Sequence, residues 1–240
     1  MHDSSRITEN RVNRLLMERL APAETLHRQP LEVSALHLEG EPCRVDELPR
    51  EGFERVSPGD RWGPPWGTTW FDVRGDSAPP DDPHGPHGLE VSVEIGFGGA
   101  MAGFQAEAAL YVDRRIVCGI HPRRRRLPLS LVVPSTPAGG GDDTRQPIRF
   151  LVEAAANPDL TTSFTASGLG DPATAGGSPL YTFGGVDLVT YDREVRRLVT
   201  ELATLNELVH VLERGSRRRQ RLTEILRRCV ERIDLDDVPG

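Results

Sequence analysis

Lysine is missing altogether: every one of the 29 basic residues is arginine. That absence excludes Schiff-base chemistry and a lysine nucleophile. Cysteine is sparse, and Cys43, Cys118 and Cys229 lie far apart with no Cys-x-x-Cys spacing. Neither a disulfide framework nor a zinc ribbon is expected, and this usage reads as that of a reducing cytoplasm. No apolar run approaches the ~18 residues that cross a bilayer, and the first residues lack the apolar centre of a secretion signal. Positive charge is also in deficit. The 36 acidic side chains leave a net charge of −7, which argues against a general binder of nucleic acid or anionic membranes. There is no Gly-x-Ser-x-Gly elbow, no P-loop and no dinucleotide fingerprint opening a helix after a strand. The length of 240 residues fits one large domain, or one domain with additions.

Aromatics make up only 5% of the chain, yet all three tryptophans fall in one stretch, Trp62-Gly-Pro-Pro-Trp66-Gly-Thr-Thr-Trp70-Phe71. Each Trp can bury roughly 150–250 Å². The first half is turn chemistry, with Pro64 and Pro65 between two glycines. Thr68 to Val73 is strand chemistry. Alternation puts Thr69, Phe71 and Val73 on one face, the expected core, and Thr68, Trp70 and Asp72 on the other. Trp62, Trp66 and Trp70 have three readings. Core packing is the commonest role for Trp in a sandwich. Trp70 could instead contact another domain, or Trp62, Trp66 or Trp70 could line a platform that stacks on sugar rings.

Around this stretch the hydrophobic period divides the chain in three. Residues 1–30 read as a helix and lead-in, with Thr8 as cap, Val12, Leu15, Leu16 and Leu20 on one face, and Ala21-Pro22 as the stop. Residues 31–190 read as strands with Gly/Pro turns. Alternation is clear over Leu89–Phe97, Phe104–Val112 and Ile148–Ala154, and present at Leu31–Ala35 and, interrupted by Pro128, at Leu127–Val133, while Leu180–Val189 is strand-like in composition. Asp113-Arg114-Arg115 reads as a hairpin turn, and Pro128 marks an edge or bulged strand. The expected fold class is mainly β, an antiparallel, jelly-roll-like β-sandwich with an N-terminal helix. Residues 191–240 form a C-terminal helical hairpin. Val195, Leu198, Leu202, Leu205, Val209 and Leu212 make one apolar seam. Leu222, Ile225, Leu226, Cys229 and Ile233 make another, and Ser216 can cap the second helix. Each seam is wide enough for a third partner.

Polar clusters are read mostly as solvated. His84 and His87, beside Asp81 and Asp82, have residue types that suit a metal but no scaffold to orient them, so no metal site is assigned. Arg123 to Arg126 reads as a turn that pairs with the chain's excess acid. Arg217, Arg218 and Arg219 fall in the first turn of a helix, where the macrodipole disfavours cations. They are therefore read as a contact with an acidic partner surface, a domain-contact role shared with Trp70.

Trp66-Gly-Thr-Thr-Trp-Phe71, Gly103-Phe-Gln-Ala-Glu107, Val152-Glu-Ala-Ala-Ala-Asn-Pro158 and Phe183-Gly-Gly-Val-Asp-Leu188 occur in this order, with Gly119-Ile-His-Pro122 between the second and third. Together they resemble the N-terminal region of bacterial-type α-mannosidases of glycoside hydrolase family thirty-eight. The resemblance implies a β-sandwich ahead of a catalytic α/β domain, joined by helices. It implies a retaining exo-α-mannosidase whose zinc or other divalent metal sits in that catalytic domain, in a segment like His-x-His-Ile-Asp. No such segment is present in this sequence, so no catalytic residue, metal ligand or cofactor is assigned to this chain. The expected partners are the catalytic domain of an α-mannosidase, a second copy through the helical hairpin, or mannose-containing glycans. The alternative is a stand-alone carbohydrate-binding or protein-interaction module.

Overall fold

The computed structural model describes residues 5–77, 85–98, 105–133, 146–158 and 168–233. Asp81, Asp82, His84, Gly103 and Phe104 lie outside the described residues. The chain forms two compact units. One is made of Arg28–Pro80 and Leu89–Val189, the other of Met1–His27, Asp81–Gly88 and Thr190–Gly240.

The first unit is built of strands. In chain order these are β1 (Thr25–Pro30), β2 (Glu32–Leu38), β3 (Glu54–Arg55), β4 (Arg61–Trp62), β5 (Thr68–Ser77) and β6 (His87–Glu94), then β7 (Glu107–Val112), β8 (Arg115–Ile120), β9 (Arg126–Pro128), β10 (Gln146–Ala155), β11 (Tyr181–Thr182) and β12 (Gly185–Asp192). A six-stranded sheet runs β3-β2-β5-β10-β7-β8, a four-stranded sheet runs β1-β12-β6-β9, and β11 pairs with β4. This is the expected β-sandwich. Phe71, Val73, Leu110, Phe150 and Val152 project from the six-stranded sheet into one core with Val91, Val93, Leu127, Val186 and Leu188. A slip of one residue in any of these strands would turn its apolar set outward, so the core itself holds the register. Asp113 and Arg114, at φ 49° and 61°, make the two-residue β7–β8 turn with both residues left-handed, as such tight hairpins require. Pro128 lies in β9, an edge strand, where a missing N–H costs no ladder bond. Strand β1 falls where a plain lead-in is expected. Its residues are almost all exposed, so it carries no alternation to read.

The second unit is helical. α1 (Ser5–Leu15) continues through a π-helical turn, Leu16–Leu20, into α2 (Ala21–Ala23). Two expectations are corrected here. Thr8 lies inside α1 and is buried, so it is not the cap. Pro22 does not close the helix at once. The widened turn lets the Ala21 N–H bond the Leu16 carbonyl, five residues back, and the helix ends just after Pro22. α3 (Arg193–Val211) is capped by Asp192, whose Oδ1 accepts from the N–H groups of Glu194 and Val195 at 2.8 and 3.0 Å. α4 (Arg217–Arg232) is capped by Ser216, whose hydroxyl accepts from the Arg219 N–H at 3.3 Å. Leu202 and Val209 of α3 and Leu226 of α4 share one core with Val12, Leu15, Leu16 and Leu20. The third partner of the two seams is therefore the chain's own N-terminal helix. Arg196 bonds the buried Glu24 and stands 4.1 Å over the Tyr191 ring, which ties the end of α2 to α3.

Candidate functional site

The site comes from the second face of β5. With Phe71 and Val73 turned to the core, alternation leaves Trp70, Asp72 and Arg74 on the outer face of the six-stranded sheet. Strand register sets their neighbours. Glu32, Arg74 and Arg149 form one row, Ser34, Asp72, Leu151 and Tyr111 the next, and Leu36, Trp70, Glu153 and Ala109 the third. The segment between β2 and β3 adds a wall of Val45, Leu48, Pro49 and Phe53, and the result is a cleft of 630 Å³. A smaller recess of 370 Å³ adjoins it and shares Asp72, Arg114, Arg149 and Leu151.

Charge in the cleft is fixed by a few contacts. Arg74 donates from Nε and Nη2 to one oxygen of Asp72, Oδ2, at 3.0 and 2.5 Å. That hydrogen bond, and then the Asp72 charge, raises the guanidinium pKa above its ordinary value. The other oxygen, Asp72 Oδ1, is buried and has no donor among the described residues. Arg114 donates to the carbonyls of Val45 and Asp46 at 3.3 and 3.4 Å, which fastens the wall to the β7–β8 turn. Arg149 stands directly opposite Arg74 across the strand pair. Like charges so placed repel. The side chains of Arg149 and Arg50, both exposed on the cleft, make no ion pair or hydrogen bond among the described residues. Beside them, Tyr111 donates to Glu153 Oε2 at 2.7 Å. Burial, this hydrogen bond and the Glu153 charge push its hydroxyl up to about 12. The Tyr111 ring packs 5.2 Å from that of Trp70, whose exposure is 0% and whose Nε1 finds no acceptor among the described residues.

The three tryptophans do not assemble a sugar platform. Trp62 belongs to the inner core: its Nε1 donates to the Ile95 carbonyl at 2.7 Å, and its ring meets Phe71 edge-on and stacks on Tyr181. Trp70 is buried on the opposite face of the sheet, so it has no surface to offer a sugar or another domain. Trp66 alone is exposed, at 39%, and its indole N–H is already engaged with the Leu169 carbonyl at 2.9 Å. Gly63 explains the tight chain path. A Cβ there would lie 2.4 Å from that of Ala156, and its φ is +68°.

The arginines divide as well. Arg219 has an internal role, donating at 2.7 Å to the buried carboxylate of Glu9 and at 3.2 Å to the Leu212 carbonyl. Its position in the first turn of α4 is explained by Glu9 of α1, not by an outside partner. Arg217 and Arg218 are exposed and make no ion pair among the described residues. In the run after His121, Arg125 pairs with Glu94 at 2.9 Å and Arg126 with Glu90 at 3.3 Å, in line with a solvated turn. Among the described residues, no three of His, Cys, Asp and Glu converge to hold a metal. Sequence reading missed Arg50, Arg74, Arg114 and Arg149. The available signal was the outward half of β5 and β10, where Asp72 and Arg74 alternate with core residues, as do Arg149 and Leu151.

The family described as "Alpha-mannosidase, jelly roll domain", of the Ams1-like type, matches residues 29–188. That span coincides to within a residue with the outer limits of the β unit, 28 and 189. No curated protein matches the chain. The β-sandwich and the family match agree, and the chain belongs to the family of Ams1-like α-mannosidase jelly roll domains.

Proposed function

We propose that this chain is the non-catalytic N-terminal part of a bacterial-type α-mannosidase of glycoside hydrolase family thirty-eight, a retaining, metal-dependent class that removes terminal α-mannosides. The observation that carries this reading is the coincidence of the family match, residues 29–188, with the β unit. The catalytic carboxylates and the zinc belong, on this reading, to a catalytic domain that the helical unit contacts in the cytoplasm. Exposed Arg217 and Arg218 at the start of α4 suit an acidic surface on that partner. Val211 and Ile225, 79% and 40% exposed in the same unit, can supply apolar contacts to it.

Two measurements test this. Pure 240-residue protein supplied with zinc is expected to leave an aryl α-mannoside unhydrolysed. Measurable zinc-dependent release of the aryl group would overturn the non-catalytic assignment. A separately expressed family catalytic domain is expected to bind the chain, and to bind it more weakly after Arg217→Glu with Arg218→Glu. Light scattering that shows a stable dimer of the chain on its own, with those substitutions dissociating it, would favour self-association instead.

A further inference from the structure

We propose that the cleft on the outer face of the six-stranded sheet binds a small, hydroxyl-bearing anion: a sugar phosphate or a sugar acid. The cleft has two unmet requirements. The first is cationic. Arg50 and Arg149 line it without a counter-ion among the described residues, and Arg149 is held against the like charge of Arg74 by strand register. A guanidinium so placed matches the forked oxygens of a phosphate or carboxylate. The second is a missing donor. Asp72 spends Oδ2 on Arg74, and its Oδ1, shut off from solvent, has none among the described residues, so a ligand hydroxyl meets it once the carboxylate turns toward the cleft. A bare anion would meet the first requirement and be repelled by Asp72. A neutral polyol would meet only the second. A ligand with an acidic group at Arg149 and a hydroxyl toward Asp72 and Ser34 meets both.

Size and wall agree with this class. The cleft's 630 Å³ lies inside the ~300–1,000 Å³ range of small-molecule sites. Leu48, Pro49 and Phe53 offer an apolar side to the C–H face of a ring, and Arg114 holds that wall in place through the Val45 and Asp46 carbonyls. The inference stands apart from the reading of the chain as an enzyme part, because none of these residues is assigned to catalysis or to a partner domain.

The test is calorimetric titration of the full chain with mannose 6-phosphate, glucuronate, inorganic phosphate and mannose. One of the two charged sugars is expected to bind at least tenfold more tightly than phosphate or mannose, and to weaken as salt is raised. Which of the two binds assigns the acidic group. Arg149→Ala and Arg50→Ala are each expected to cost at least tenfold in affinity. Arg218→Ala, in the helical unit, is expected to change nothing. The melting temperature of Arg149→Ala should equal or exceed that of the parent, since a like-charge pair is relieved. A drop would assign Arg149 a structural role and overturn its part in the site. Failure of both charged sugars to bind, or binding indifferent to Arg149→Ala and Arg50→Ala, overturns the proposal. Inorganic phosphate binding as tightly as the sugar phosphate overturns the hydroxyl requirement.

Discussion

Glu9 and Arg219 show how one buried carboxylate decides the reading of a charge run. The side chains of Glu9 and Arg219 are only 10% and 13% exposed, and they meet at 2.7 Å. Removing one partner of such a pair strands the other charge out of water. Arg219→Met should therefore cost about 3 kcal/mol in urea unfolding, whereas Arg219→Met with Glu9→Leu should recover most of that loss. Arg218→Ala, on the exposed side of the same turn, should stay within about 0.5 kcal/mol of the parent. Tyr111 makes a pH prediction at the same scale. Its hydroxyl is raised from the ordinary 10.0 to about 12, with burial the first cause and the Glu153 hydrogen bond the second. The fold thus stabilises the neutral form. That contribution is whole below about pH 10 and is lost as pH rises through about 12. An ultraviolet titration should show a late tyrosine ionisation step, and Tyr111→Phe should abolish that step and flatten the fall in stability between pH 10 and 12.

At the scale of the element, β5 carries the most information and was half legible. Its inward face, Phe71 and Val73, follows from alternation alone. So do the apolar faces of β6 and β10, and the two seams of α3 and α4, because each is a local period in a short window. What local period cannot reach is the pairing between distant strands. Arg74 and Arg149 are neighbours only because β5 and β10 pair in that register, and the cleft exists only after that pairing. The role of α1 as third member of the helical core was hidden for the same reason, and β1 was hidden because its residues face solvent and so show no period. The tryptophans separate along these lines. Trp62→Ala and Trp70→Ala should each cost roughly 3–5 kcal/mol, since both rings are enclosed. Trp66→Ala should cost no more than roughly 1 kcal/mol, since its ring is partly exposed. Melting curves of the three variants distinguish this from a shared binding platform, whose members would lose glycan affinity with unchanged stability. Helix α4 adds an acid-side case. Hydrogen bonds from Arg227 and then Arg228 hold the Glu224 carboxyl down at about 2. Its contribution is present above the ordinary value near 4.5 and is lost as pH falls toward 2. Glu224→Gln should remove that part of the acid dependence of helicity, a small part for so exposed a group.

At the scale of the whole molecule, the family match spans the β unit and leaves the helices of the other unit outside it, taking in only that unit's Asp81–Gly88 segment. The β unit has its own core around Phe71, Phe150 and Val93, and the helical unit has a second around Leu202, Val209 and Leu226. The second core draws on residues from the two ends of the chain, and the pairing of β1 with β12 does the same in the sheet, so both cores depend on closing long loops. Two cores of different composition and chain order give two cooperative units. Calorimetry should resolve two transitions. Leu226→Ala removes a fully buried side chain from the helical core and should lower one of them, at a cost of about 2–5 kcal/mol. Val152→Ala, in the β core, should lower the other by a smaller amount. The cleft and the tryptophans lie in the β unit, so binding of a charged sugar should raise only the transition that Val152→Ala lowers. If Leu226→Ala and Val152→Ala shift a single transition together, the two cores unfold as one, and the division of labour between a ligand-binding sandwich and a docking helical unit loses its energetic basis.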